Sequence, residues 1–176
     1  MSHPTGTVTF LFTDIEGSTK LWREHPEGMS KSHARHNAIL QNAIETNNGY
    51  IFQVIGDAFC AAFHRAGDAI KAALQAQVEL TSEAWGEAVI KVRMGIHTGE
   101  AELKEDSQYN GYMTMSRTQR LMSAGHGGQV LVSLSSEELI RDDPPTDIEL
   151  RDLGERRLKD LIRPKRIFQL VAPDLP

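Results

Sequence analysis

The chain has 176 residues, with 19 Lys and Arg against 24 Asp and Glu, a formal net charge of −5, and it is 40% apolar and 24% charged. Single domains run to roughly 100–200 residues and bury about 70% of their unfolded surface at this size, so one domain over residues 1–176 is expected and disorder is excluded. An acidic balance without a basic run excludes a protein built to grip nucleic acid, and no apolar run approaches the roughly 20 residues of a membrane span.

Residues 8–12 are β-branched and aromatic, and read as a strand buried on both faces that stops at Thr13-Asp14, leaving a carboxylate at its end. Helical spacing starts at Ser18, is expected to break at Pro26 and Gly28, and resumes through Ile39, Leu40, Ala43 and Ile44 until Asn47-Asn48-Gly49 stops it. Residues 50–55 and 58–63 are strands joined by Gly56-Asp57, a tight-hairpin dipeptide that puts a second carboxylate at the tip. Cys60 lies inside this apolar run with no second cysteine to pair with, which fits a reducing, cytoplasmic compartment, and residues 2–6 lack the basic character of a secretion signal.

Residues 66–80 are Ala-rich and predict a helix with Ile70, Leu74, Val78 and Leu80 as its core stripe. Residues 89–97 alternate as a strand, 104–110 read as a loop, 111–124 as a helix ended by Gly125, 129–133 as a strand and 135–140 as a short helix. Pro144-Pro145 marks a turn, and residues 148–153 and 166–171 are the closing strands, the second preceded by Pro164. The order β-α-β-β-α-β with later additions predicts an α+β sandwich: a ferredoxin-like split βαβ core with a mostly antiparallel sheet, helices on one face and C-terminal additions. That plan hosts many functions and does not decide the chemistry.

In such a plan the first strand lies beside the central hairpin, so Asp14 and Asp57 meet at one edge of the sheet. Two carboxylates repel unless a cation sits between them, and hard ions such as Mg²⁺ or Mn²⁺ select carboxylate and phosphate oxygens. The run from Ile15 to Ser18 contains a glycine and leads into a helix start, which would turn backbone N–H groups toward a phosphate. The alternative is that Asp14 caps that helix and Asp57 is an ordinary turn residue.

Four segments, Phe12-Thr13-Asp14-Ile15-Glu16-Gly17-Ser18-Thr19, Ile55-Gly56-Asp57-Ala58-Phe59, Arg93-Met94-Gly95-Ile96-His97-Thr98-Gly99-Glu100 and Gly125-His126-Gly127-Gly128-Gln129-Val130, together resemble the class III nucleotidyl cyclase catalytic domain. The resemblance runs from about Gly6 to Val171 and includes Leu153-Gly154-Glu155 and Leu158-Lys159-Asp160. It implies a homodimer with sites at the interface and two Mg²⁺ or Mn²⁺ ions per site held by Asp14, Asp57 and the Ile15 carbonyl. It implies attack of the ribose 3′-hydroxyl on the α-phosphate of a nucleoside triphosphate, ATP by family default, with loss of pyrophosphate. Gly17, Ser18, Thr19 and Gly56 then line the nucleotide, and Lys159 or Arg163 meets its outer phosphates.

Departures from the family pattern fall on the half of the site given by the partner subunit. Gln53 stands where ATP-using members carry Lys, and Gln108 or Tyr109 where they carry an adenine-reading Asp. Ser116 replaces the transition-state Asn, while the catalytic Arg is kept as Arg120. An amide both donates and accepts, so the first two exchanges loosen base choice and leave GTP, CTP or UTP open, including a pyrimidine cyclase of bacterial anti-phage signalling. Loss of one positioned donor costs about 10²–10³-fold, so a weak catalyst or a degenerate nucleotide-binding regulator is the other reading. A ferredoxin-like domain with no nucleotide role leaves both aspartates and Arg120 unexplained. His97, Glu100 and His126 read as strand-end and turn residues, and Met113, Met115 and Met122 as core or dimer contacts.

Overall fold

Alternation along β1 (Gly6–Ile15) sends Val8, Phe10 and Phe12 to one face and Leu11 and Ile15 to the other, and a computed structural model describing residues 2–159, 161 and 163–176 shows both faces covered. The strand runs past the expected stop at residue 12, because β4 (Val92–Leu103) pairs with it from Gly6↔Ala101 to Ile15↔Val92. Asp14 is therefore a strand residue. For the same reason β4 extends to Leu103 instead of ending at His97, while residues 89–91 alternate in burial but precede the ladder.

Helix α1 (Ser18–Glu24) is followed by α2 (Pro26–Thr46). Pro26 does not interrupt a helix; it begins one, at the first-turn position where a missing N–H costs nothing, and Gly28 lies within it against Ala88. Asn48 adopts φ 66° and Gly49 N–H returns to the Ile44 carbonyl, ending α2 where Asn47-Asn48-Gly49 predicts. β2 (Tyr50–Ile55) and β3 (Ala58–Phe63) form the expected hairpin, with Gly56 at φ 60° in its turn. In α3 (Ala66–Ser82) the buried stripe is Ala69, Ile70, Ala73, Ala76, Gln77 and Leu80, whereas Leu74 and Val78 are only half-buried. The alanines form the contact face.

Residues 104–108 form the expected loop, but it closes as a hairpin, with β5 (Tyr109–Asn110) pairing back on β4. Then come α4 (Tyr112–Ser123), β6 (Val130–Ser133), α5 (Leu134–Ile140), whose N-cap Ser133 accepts from Ser136 N–H, β7 (Glu149–Arg156) and β8 (Lys165–Val171). The sheet order is β2-β3-β1-β4-β6-β8-β7, antiparallel except for β4 with β6. The ferredoxin-like core is present as the sequence predicts. Among the described residues no helix is long and apolar enough to cross a membrane.

The helices do not all share one face. α2 and α3 cover the face of Leu11, Ile15, Met94 and Ile96, while α4 lies across the opposite face, where Met122 joins Phe10 and Phe12. Gly95 permits that crossing: a Cβ there would stand 2.7 Å from the Met122 backbone nitrogen and 2.9 Å from its Cα. Because backbone cannot yield as a side chain does, Gly95→Ala is expected to cost about 1–3 kcal/mol in urea unfolding, the usual penalty of an overpacked core.

Candidate active site

Antiparallel register places Asp14 opposite Arg93 on the face that α4 crosses. Arg93 donates from Nε to Asp14 Oδ1 at 2.8 Å and from Nη2 to Oδ2 at 2.5 Å, a two-pronged ion pair. Asp14 thus does not cap α1, which has no side-chain cap at its N-terminus. At the hairpin tip Asp57 Oδ1 accepts from Ile15 N–H at 3.4 Å, so the second carboxylate reaches the residue next to Asp14 across 42 positions of sequence. Asp57 thus stands at the residue next to Asp14, at the C-terminal end of a strand that lies between β3 and β4 rather than at an edge of the sheet.

Arg93 ties Asp14 into this acidic corner. Its guanidinium is pushed above its ordinary pKa, first by the hydrogen bond to Asp14 and further by the charges of Asp14, Glu16 and Asp57, against a desolvation that opposes it. It also reaches the Ser123 carbonyl at the end of α4 at 3.4 Å. Glu16 fixes the adjoining turn by accepting from Gly127 N–H at 2.6 Å. Sequence reasoning quoted Arg93 and Glu16 within motifs and gave neither a role; the available signal was a cation at the strand position paired with Asp14.

The remaining residues divide by exposure. Gly17 precedes α1 in the left-handed conformation at φ 66°, with Ser18 and Thr19 opening the helix beside it. Gly56 is exposed in the hairpin turn, and Gln53 is exposed on β2, just past a register shift at Ile51. Ser116 and Arg120 are half-buried and share one face of α4 at i, i+4 spacing. Lys159 and Arg163 are exposed between β7 and β8, while Asp160 lies outside the described residues.

Tyr109 is a correction. It is 6% exposed in the cluster of Phe10 and Phe52, its hydroxyl donates to the Pro4 carbonyl at 2.7 Å, and burial pushes its pKa up to about 12. A side chain spent in that way cannot read a base, and of the two candidates Gln108 is the exposed one. His97 stands within β4 rather than at its end, Met122 is core, Met113 is 55% exposed, and Cys60 is a buried thiol raised by desolvation to about 11.

The donor set suits a hard cation. Two carboxylates and the Ile15 carbonyl are oxygen ligands of the kind Mg²⁺ or Mn²⁺ takes, and no group of three His, Cys, Asp or Glu side chains competes as a metal cluster among the described residues. Each Asp14 oxygen keeps a second lone pair beyond its bond to Arg93.

Comparison with known proteins shows the family and the fold. The profile of the adenylate and guanylate cyclase catalytic domain matches residues 1–170. An uncharacterized protein of Mycobacterium tuberculosis is 43% identical over 175 residues, covering 98% of this chain and 58% of that protein. A receptor-type adenylate cyclase of Trypanosoma equiperdum is 28% identical over 209 residues, covering 96% of this chain and 45% of that protein. The chain thus spans about half the length of the curated relatives it matches. In fold it is similar to an adenylate cyclase of Trypanosoma brucei in its monomeric state, with a TM-score of 0.86 at 24% identity over 100% of this chain and 93% of that one. It is also similar to the adenylyl cyclase CyaB from P. aeruginosa, with a TM-score of 0.83 at 24% identity over 100% of both chains.

Proposed function

Because the chain belongs to the adenylate and guanylate cyclase catalytic-domain family, we propose that it is a class III nucleotidyl cyclase converting a nucleoside triphosphate to its 3′,5′-cyclic monophosphate and pyrophosphate. The observation that carries this reading is the Asp57 carboxylate bonded to Ile15 N–H beside Asp14, two acids from distant segments brought to the end of β1. Asp14, Asp57 and the Ile15 carbonyl would hold Mg²⁺ or Mn²⁺, which would supply charge neutralisation at the phosphate and a lowered pKa for the 3′-hydroxyl. Arg93 offsets the charge of Asp14. The protein acts as a homodimer, with Ser116 and Arg120 of one protomer completing the site of its partner. Arg120 supplies charge to the phosphorane as it forms, and Ser116 positions the ribose with a hydroxyl.

Gln53 and Gln108 are the groups left to meet the base. Two amides do not demand an amino group at one edge and a carbonyl at the other, so ATP, the family default, competes with GTP and with the pyrimidine triphosphates of an anti-phage signalling cyclase. Ser116 favours a second reading, a dimer that binds nucleotide and metal as a regulator without turnover. Incubating the protein separately with ATP, GTP, CTP and UTP plus Mn²⁺, with mass-spectrometric detection of cyclic monophosphates, separates these readings. One dominant product is the expected result; triphosphate binding without any product would establish the regulator.

A further inference from the structure

Away from the acidic corner, α4, β4, β6 and β8 enclose a cavity of about 400 Å³, within the range of small-molecule sites. Its polar wall is Arg117 from α4, Lys165 from β8, His97 from β4, and Ser133 and Ser135 at the start of α5; its apolar lining includes Leu121, Leu134, Leu158 and Ile167. Buried guanidinium nitrogens are normally matched to an acceptor, yet the Nε of Arg117 is buried with no hydrogen-bond partner. Arg166 also borders the cavity, but it is already paired with Asp152 at 2.8 Å. Among the described residues of the lining Glu155 is the one carboxylate; it is exposed, and no ion pair joins it to Arg117 or Lys165.

We propose that this cavity binds a small organic carboxylate. Its two oxygens satisfy Arg117 and the Lys165 ammonium, and its carbon body covers the leucines and Ile167. The imidazole does not compete for the anion's place. His97 Nδ1 is tied to Ser133 at 2.8 Å and Ser135 at 3.2 Å, and burial, then Arg117 and Lys165, hold its pKa down to about 4, so it is neutral at pH 7. A metal cation is unsuited to a wall where Arg117 and Lys165 have no ion-pair partner among the described residues, and a fully hydrated anion such as phosphate gains nothing from the apolar half.

The test is a titration of the wild-type protein with butyrate, with butyramide as the neutral isostere and with inorganic phosphate, followed through the ring resonances of His97. Saturable butyrate binding is expected, at least about tenfold tighter than either comparison compound, together with a rise in the His97 midpoint as the added negative charge offsets Arg117 and Lys165. Arg117→Gln and Lys165→Gln are each expected to weaken butyrate by about tenfold while the fold, checked by circular dichroism, is kept. The proposal is overturned by equal responses to butyrate and butyramide, by phosphate binding more tightly than butyrate, or by folded variants that bind butyrate as the wild type does. None of Asp14, Asp57, Ser116, Arg120, Lys159 and Arg163 lines this cavity, so its failure and that of the cyclase reading are scored in different assays.

Discussion

Asp57→Ala is expected to reduce cyclic nucleotide formation by at least about 10³-fold in Mg²⁺ or Mn²⁺ while leaving the protein folded. Metal-centred charge stabilisation is worth several kcal/mol, and each 1.36 kcal/mol is about tenfold in rate. The fold tolerates the change because Asp57 sits in a hairpin turn that Gly56 forms at φ 60°, and its bond to Ile15 N–H, at 3.4 Å, is long. A loss of stability under about 1 kcal/mol follows, as for most surface substitutions. Asp14→Ala behaves differently. It strips both acceptors from an Arg93 side chain only 26% exposed, so roughly 2 kcal/mol of stability goes with the activity, the usual worth of a hydrogen bond to a charged group. Parallel urea unfolding and product assays on the two variants separate a ligand from a structural acid. Retained turnover in folded Asp57→Ala protein would refute metal-assisted cyclisation at this corner.

The contrast between these acids marks what the sequence makes legible. The hairpin at Gly56-Asp57 is readable because turn chemistry is local, and the convergence of Asp14 with Asp57 follows from the order of elements. The length of β1 is not, since its last residues are held by β4, nearly 80 positions later, and nothing in Thr13-Asp14-Ile15 signals that partner. Pro26 misleads in the opposite sense: its fixed φ and missing N–H break a helix in the interior and start one at the first turn, and sequence alone does not say which turn it occupies. The buried alanine stripe of α3 is hidden because small residues mark a close approach of helix and sheet rather than a strong hydrophobic face. Tyr109 shows the limit for sites. Its position in the chain suits a base-reading residue, but a strand of two residues turns it into the Phe10 and Phe52 cluster, where Pro4 takes its hydroxyl.

Position 116 carries the other large effect. Ser116→Asn is expected to raise kcat about 10²-fold, because it restores an amide donor where the family pattern has one, and single positioned donors are worth about 10²–10³ in rate. The exchange is permitted locally: Ser116 is half-buried on α4, neither fully enclosed nor free, and Asn and Ser differ little in helix propensity. A donor that acts only as the phosphorane forms changes kcat and kcat/KM together, so KM should stay within about threefold. Steady-state kinetics of the two proteins with the preferred triphosphate measures this directly. A gain in KM alone would mean that position 116 grips the ground state, and no change in either constant would remove it from the site. If the wild type has no turnover and Ser116→Asn gains it, the regulatory reading holds for the natural chain, and one side chain on α4 separates a nucleotide-binding dimer from an enzyme.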